Sequence, residues 1–393
     1  MITNLPDLKK YFDTLLLFAE LSTRCNEVQL LTVHGQVLPE MIRHRYPRLR
    51  LITFPRRAWS RHALGWVQAA AARGEVDIIH DLLGSLCPFF ILAPEDRKYR
   101  LVNTQLTTNW GWFDRVRHRG VGFSRHYIKN RVISLWRDRQ LAHHADGLVV
   151  LGPGHEGDLL HVHKISPERI SWIPAETDLE HFKPSPTEER QPGRLLFVGT
   201  SARTKGLPLL FSLMTTLLKD ESIGAVELHL VGPVARHERR WFERAVHSAQ
   251  LGDRLQLHPP KAREQLPAIY QRADLFLLPS LFEGSPRALR EALACGCRAV
   301  VSELPGHRGI DPKGRFMSFA PDDQLMPWVD AVRALLTESP EAAESRRRRA
   351  YERLAAAHAP SAVAEAYLSL FERLLTEAPR RRSRSFPLSP SLL

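Results

Sequence analysis

Cysteine is scarce, and its four copies, Cys25, Cys87, Cys295 and Cys297, fall at spacings that suit neither a metal site nor a disulfide framework. That excludes the disulfide-stapled class and makes a reducing cytoplasm the expected compartment. Cys295 and Cys297 bracket Gly296 and read as small packing residues. Long apolar runs are missing too. The longest uncharged one, Leu82 to Pro94, is short of the roughly 20 residues that span a bilayer. Asp7 and Asp13 precede the brief LLLFA run, so no secretory leader is legible. There is no Asp-x-Asp pair, and neither a dedicated metal nor a cofactor is expected.

What is abundant is chain length and basic charge. At 393 residues the sequence exceeds a single core and predicts two domains. Lys and Arg number 55 against 43 Asp and Glu, a net charge of +12. The excess is uneven: residues 110–140 hold eight Arg or Lys against two Asp, interleaved with Trp110, Trp112, Phe113, Phe123, Tyr127 and Trp136. An anionic membrane surface, nucleic acid and a solvated helix beside a cleft are the three readings of that stretch. The Arg346–Arg349 run reads as a solvated helix face. Residues 379–393, with four Arg and no acid, read as a disordered basic tail.

The most informative stretch is LPSLFEGSPRALREALACGCRAVVS. Leu275 to Leu278 form a continuous apolar run, as in a strand covered on both faces of a parallel sheet. Pro279 and Ser280 end it. Ser285 is predicted as the N-cap of a short helix with Pro286 at its first position and Gly296 at its stop. The amides of Arg287 and Ala288 would then point beyond the carboxyl end of a strand, where phosphate binds. Glu283 in the loop and Glu291 in the helix flank that place. Two such carboxylates suit a glycosidase pair, ligands for sugar hydroxyls, or plain surface charge; a glycosidase needs no phosphate cradle between them.

A second turn of the same type lies about eighty residues upstream, in GRLLFVGTSARTKGLPLLFSLM. Leu195 to Val198 read as a buried strand, Gly199 opens the turn and Gly206 admits the chain to a helix with apolar residues at 209, 210, 213 and 217. Arg203 and Lys205 lie between, as cations able to neutralise a diphosphate. Strands at 227–231, 254–257 and 274–278 alternate with helices, the pattern of a doubly wound parallel sheet.

At these residues the chain resembles glycosyltransferase family 4, the retaining GT-B nucleotide-sugar transferases. EGSPRALREALACGCRAVVS is similar to that family's Glu-x7-Glu signature and LLFVGTSARTKGLPLL to its first carboxyl-terminal strand, turn and helix; the likeness is specific over residues 145–310. The resemblance implies an α/β GT-B fold, two Rossmann-like doubly wound domains facing a cleft. Its boundaries would be 1–173 for an acceptor domain, 174–192 for the linker, 193–360 for the donor domain and 361–378 for a helix returning to the first domain. It implies a nucleotide-sugar donor and a glycan or lipid-linked acceptor. Glu291 would hold the donor ribose, the backbone of Ser285 to Ala288 would meet phosphate and sugar, Glu283 would face the transferred sugar, and Lys205 would stabilise the leaving diphosphate. The arginine that the family carries just after the glycine is Thr200 here, which leaves its duty to Arg203. Since relatives with lipid acceptors dock through the first domain, the resemblance favours peripheral membrane attachment through residues 110–140 over nucleic acid. A nucleotide-sugar epimerase and a catalytically silent nucleotide-sugar binder remain as alternatives.

The first half predicts strands near 27–33, 49–53, 76–80, 99–104 and 146–151. His80, at the end of VDIIH, is a candidate ligand-facing residue, with a satisfied buried histidine as the blander reading. Thr104 and Gln105 are candidates for sugar contact. The chain enters its first helix, around Asp7 to Thr23, with no apolar strand before it. The expectation is therefore that the central first strand is missing, either from a short absent segment or from an incomplete sheet.

Overall fold

The computed structural model describes residues 1–5, 7–8, 11–57, 59–82, 98–105, 139–152, 156–185 and 190–378. The tail 379–393, most of the Leu82–Pro94 run and all but the last two residues of 110–140 lie outside the described residues. The described chain folds into two all-parallel sheets. The first comprises β1 (Ile2–Asn4), β2 (Val28–Val33), β3 (Leu49–Phe54), β4 (Ile78–Asp81), β5 (Arg100–Gln105), β6 (Gly147–Val150) and β7 (Ile170–Trp172), in the order β3-β2-β1-β4-β5-β6-β7. The second comprises β8 (Arg194–Val198), β9 (Glu227–Val231), β10 (Leu255–His258), β11 (Leu275–Leu278), β12 (Arg298–Ser302) and β13 (Met317–Ala320), in the order β10-β9-β8-β11-β12-β13. Both are doubly wound, and in each the chain reverses its direction of winding between the first strand and the fourth.

The continuous apolar runs end where burial on both faces puts them. All four residues of β11 and all five of β12 are buried. Helices cover both faces, and the core of the second sheet is built from Leu195, Phe197, Leu213, Phe276, Val300 and Trp328 among others.

The expected absence of the first strand is corrected. Ile2 to Asn4 pair in parallel with β2 on one side and β4 on the other, so the sheet has its central strand. The strand escapes an apolar-run reading because it is three residues long and two of them are polar. Thr3 and Asn4 are nevertheless fully buried. Asn4 Oδ1 accepts a hydrogen bond from the Leu82 amide at 3.0 Å, and Thr3 Oγ1 lies 3.5 Å from His80 Nδ1. Paired side chains make this polarity tolerable in the interior.

The chain crosses back at its end. Helix Pro360–Thr376 lies against helix Phe12–Arg24, where Val363, Tyr367, Leu370, Phe371 and Leu374 share a core with Leu15, Phe18 and Leu21. The Arg346–Arg349 run belongs to helix Pro340–Ala357 and mixes ion pairs (Arg346 with Glu338, Arg348 with Glu352) with exposed faces. Among the described residues, no helix is long and apolar enough to cross a membrane.

Candidate functional site

The turns after β8 and β11 meet at the point where the second sheet reverses its winding. β8 and β11 are neighbours, paired at Leu275 with Leu195 and Phe276 with Leu196. Beyond their carboxyl ends the Leu281 amide donates to Thr204 O at 3.0 Å and ties the two turns together. Gly206, with φ of 75°, packs so tightly on the Pro279 carbonyl that a Cβ would stand 1.9 Å from its oxygen. Only glycine fits there, in conformation as well as in space.

This contact fixes Lys205. Its Nζ lies 2.6 Å from Glu283 Oε1, and Ser280 Oγ donates to the same oxygen at 2.7 Å. The lysine from one turn and the glutamate from the other thus share one spot, two residues before Ser285. Arg203 faces elsewhere: its amide and its Nε both donate to Glu238, and its guanidinium carbon sits 5.7 Å from the Trp241 ring centroid. The vacancy at Thr200 is therefore not filled by Arg203 in this arrangement.

Helix Arg287–Ala294 starts one residue later than expected, with Pro286 as its cap residue and no side-chain cap. The cap assignment of Ser285 is corrected, because Arg290 takes its hydroxyl. Arg290, 4% exposed, donates from Nη1 to Ser285 O at 2.8 Å and Ser285 Oγ at 2.5 Å. Its Nε donates to Thr177 Oγ1 at 2.9 Å and its Nη2 to Glu176 O at 3.1 Å. Burial lowers its pKa, while Glu176, Asp13 and Glu291 favour the charge. One guanidinium thus binds the loop before the helix to the linker between the sheets. Arg287 and Ala288 hold the first two helical positions, one place nearer the helix start than expected. At the far end Gly296 (φ of 83°) donates to Leu293 O and Cys297 to Ala292 O, a paired left-handed stop.

Glu291 is buried on the inner face of that helix, where the Tyr270 hydroxyl donates to its Oε2 at 2.8 Å. Across from it stands the start of helix Phe12–Arg24. Arg263 Nη2 bridges Asp13 Oδ1 at 2.6 Å and Asp178 Oδ2 at 2.9 Å, and Arg287 lies over Tyr11 with its guanidinium carbon 5.8 Å from the ring centroid. The two halves thus face each other across a strongly charged junction.

The Asp13 carboxyl is pushed up to about 6, first by burial, with Arg263 pulling it down and Glu291 and Glu176 adding to the rise. A carboxyl raised above its ordinary 3.8 stabilises the native state while protonated, and that contribution is lost as pH climbs through about 6. Asp13→Asn is expected to remove this fall between about pH 4 and 6, up to about 3 kcal/mol at ~1.4 kcal/mol per unit. Melting curves across that window check it; a variant with the parent's slope contradicts it.

His80 and Thr104 are corrected as acceptor-side residues. His80 is fully buried, with Nε2 2.7 Å from Thr104 Oγ1 and its ring against Phe18, Tyr367 and Phe371. Thr104 Oγ1 is 2.7 Å from the Tyr367 hydroxyl. Burial pulls the histidine down to about 3, so it is neutral. The returning helix covers these side chains. Gln105 ends β5, also buried.

Sequence reasoning missed Arg290, Tyr270, Asp13, Arg263 and His307. His307 is fully buried behind the Glu283 loop; its Nδ1 is 2.6 Å from Ser302 O, and burial lowers its pKa to about 4. No local signal in LREALA marks Arg290: all six residues are buried, and the two charges among them find partners on distant segments.

Residues 179–353 match the family model described as glycosyl transferases group 1. That segment is similar to the group 1 glycosyl transferases. The match covers β8 to β13, the turns after β8 and β11, and all of Lys205, Glu283, Arg290 and Glu291. The D-inositol 3-phosphate glycosyltransferase of Mycobacteroides abscessus is 25% identical over 266 residues, 63% of this chain and 56% of that protein. The chain therefore spans little more than half the length of this curated relative. Sucrose-phosphate synthase from Thermosynechococcus elongatus has a similar fold, with a TM-score of 0.75 at 19% identity, covering 95% of this chain and 98% of that one. Anabaena HepE, solved in complex with UDP-glucose, gives 0.69 at 13% identity, with 95% and 99% covered. These likenesses show a GT-B fold over nearly the whole chain, both sheets included.

Proposed function

We propose that the chain is a retaining glycosyltransferase, which moves a sugar from a nucleotide-sugar donor to a glycan or lipid-linked acceptor. The observation that carries this reading is the junction of Lys205 and Glu283 at the start of helix Arg287–Ala294. It pairs a cation with a carboxylate at the reversal point of the sheet, a few residues before the first turn of that helix. In the reaction the bond between the anomeric carbon and the diphosphate oxygen breaks, and a bond to the acceptor oxygen forms on the same face. The acceptor proton passes to the leaving phosphate. Charge that gathers on the diphosphate is met by Lys205 and the amides of Arg287 and Ala288. Glu283 faces the transferred sugar, and Glu291, oriented by Tyr270, holds the ribose. The complex of Anabaena HepE with UDP-glucose supports a donor of this class.

The test is a thermal-shift screen of nucleotide sugars. A ligand at about a hundredfold excess over its Kd stabilises the native state by ~2.7 kcal/mol. Glu291→Ala is expected to reduce the shift strongly for the preferred donor, and equal shifts in both proteins would remove the ribose assignment. A second reading, a nucleotide-sugar binder without turnover, has one observation in its favour: Thr200 stands in the arginine's place while Arg203 is held by Glu238. It predicts the same shift with neither transfer nor donor hydrolysis.

Membrane attachment through the basic and aromatic residues 110–140 belongs to the same proposal. Vesicles containing anionic lipid should sediment the protein and neutral vesicles should not. Indifference to lipid charge would end that part of it.

A further inference from the structure

A cavity of about 560 Å³ lies away from the Lys205–Glu283 turn, between the end of β7, the segment leading into β13 and the later turns of helix Pro340–Ala357. Its volume falls within the ~300–1,000 Å³ of small-molecule sites. Lys313, Arg315, Arg349 and Arg353 all line it. Two acids share its wall and offset part of that charge, though each has other partners. Asp311 accepts the backbone amides of Arg315, Phe316 and Met317 at 2.8–2.9 Å, and Glu352 reaches Arg348, which faces outward, at 3.7 Å.

Two of the cations are anchored. Arg349 donates to Arg315 O at 3.3 Å and to Ser345 Oγ at 2.8 Å, and Arg353 Nε donates to Ile310 O at 3.4 Å. These bonds go to neutral acceptors, so the wall keeps an excess of four cations over two acids. Lys313 and Arg315 are exposed. The remaining wall is Trp172, an aromatic side chain from the other sheet that is 45% exposed. An indole and a ring of cations around one hollow suit a ligand with an anionic group at one end and a ring at the other.

We infer that this cavity binds a phosphomonoester carried on a ring, its phosphate among Lys313, Arg315, Arg349 and Arg353 and its ring on Trp172. The site is separate from the donor place proposed above. A free sugar phosphate and a phosphorylated inositol headgroup in a membrane share this chemistry.

Isothermal titration of the full chain with glucose 6-phosphate, inorganic phosphate and glucose tests it, alongside sedimentation with vesicles that contain phosphatidylinositol 4-phosphate. Either glucose 6-phosphate or the vesicles should bind, and glucose alone should not. The double variant Lys313→Gln/Arg315→Gln changes exposed side chains and is expected to weaken that binding at least tenfold, with nucleotide-sugar affinity unchanged. Trp172→Ala should weaken glucose 6-phosphate or the vesicles more than inorganic phosphate. The inference is overturned if neither probe binds, or if every probe that binds the parent binds the double variant as tightly.

Discussion

Lys205→Ala is expected to lower kcat for sugar transfer by about a hundredfold to a thousandfold, roughly 3–4 kcal/mol of barrier, with the fold intact. The lysine is one-third exposed and its ammonium is held by Glu283, so alanine removes a charge without opening a core. On the proposed mechanism the diphosphate gains charge as the anomeric bond breaks, and Lys205 interacts more strongly with that state than with the bound donor. The loss should therefore fall on kcat and on kcat/KM together, since an interaction made only in the transition state shows this pattern. Steady-state kinetics with the preferred donor, run with and without EDTA, make the measurement. A rise in KM alone would reduce Lys205 to a binding residue, and unaltered kinetics would remove it from the reaction. The neighbouring ion pair adds a second result. With Lys205 gone, Glu283 keeps Ser280 as a side-chain hydrogen-bond partner among the described residues, so Lys205→Ala/Glu283→Gln should be less than additive in its loss.

The residues behind this prediction were legible because the second sheet writes its strands plainly. Leu275–Leu278 and Leu195–Val198 are apolar runs that only a doubly covered parallel strand explains, and the glycine turns follow directly. What stayed hidden depends on partners far away in sequence. β1 mixes Thr3 and Asn4 into the interior because β4 supplies partners to them, and no local pattern announces that. His80 at the carboxyl end of its strand leaves both a ligand-facing and a buried reading open, and a helix almost three hundred residues later covers it. Ser285 has the composition of a cap, but Arg290 uses its hydroxyl for another purpose. The charged junction between the halves joins Asp13 to Arg263 across 250 positions. Local propensity reads short-range geometry well and cannot register side chains that meet only after both sheets are in place.

Arg290→Met carries the largest expected effect on stability. The guanidinium is buried and makes four hydrogen bonds, to Ser285 O, Ser285 Oγ, Thr177 Oγ1 and Glu176 O. Methionine fills much of the volume but leaves those acceptors without their donor and removes the cation beside Asp13, Glu176 and Glu291. Breaking one side of a buried charged cluster costs about 3–5 kcal/mol. For a domain of this size that lowers Tm by roughly 6–20 °C at about 2–4 °C per kcal/mol. Scanning calorimetry checks the fall, and a loss below about 1 kcal/mol would mean that Arg290 is not an anchor. The substitution should also raise the Asp13 carboxyl further, because a favourable charge disappears while burial and its acidic neighbours stay. Destabilisation should therefore be greater at pH 7 than at pH 4, where the carboxyl is protonated. Donor affinity should fall as well, because Ser285 stands beside the amides of Arg287 and Ala288 and loses the group that holds it to the linker. Arg290→Lys keeps the charge but supplies a single ammonium in place of a planar fork, and it should recover the pH dependence better than the stability.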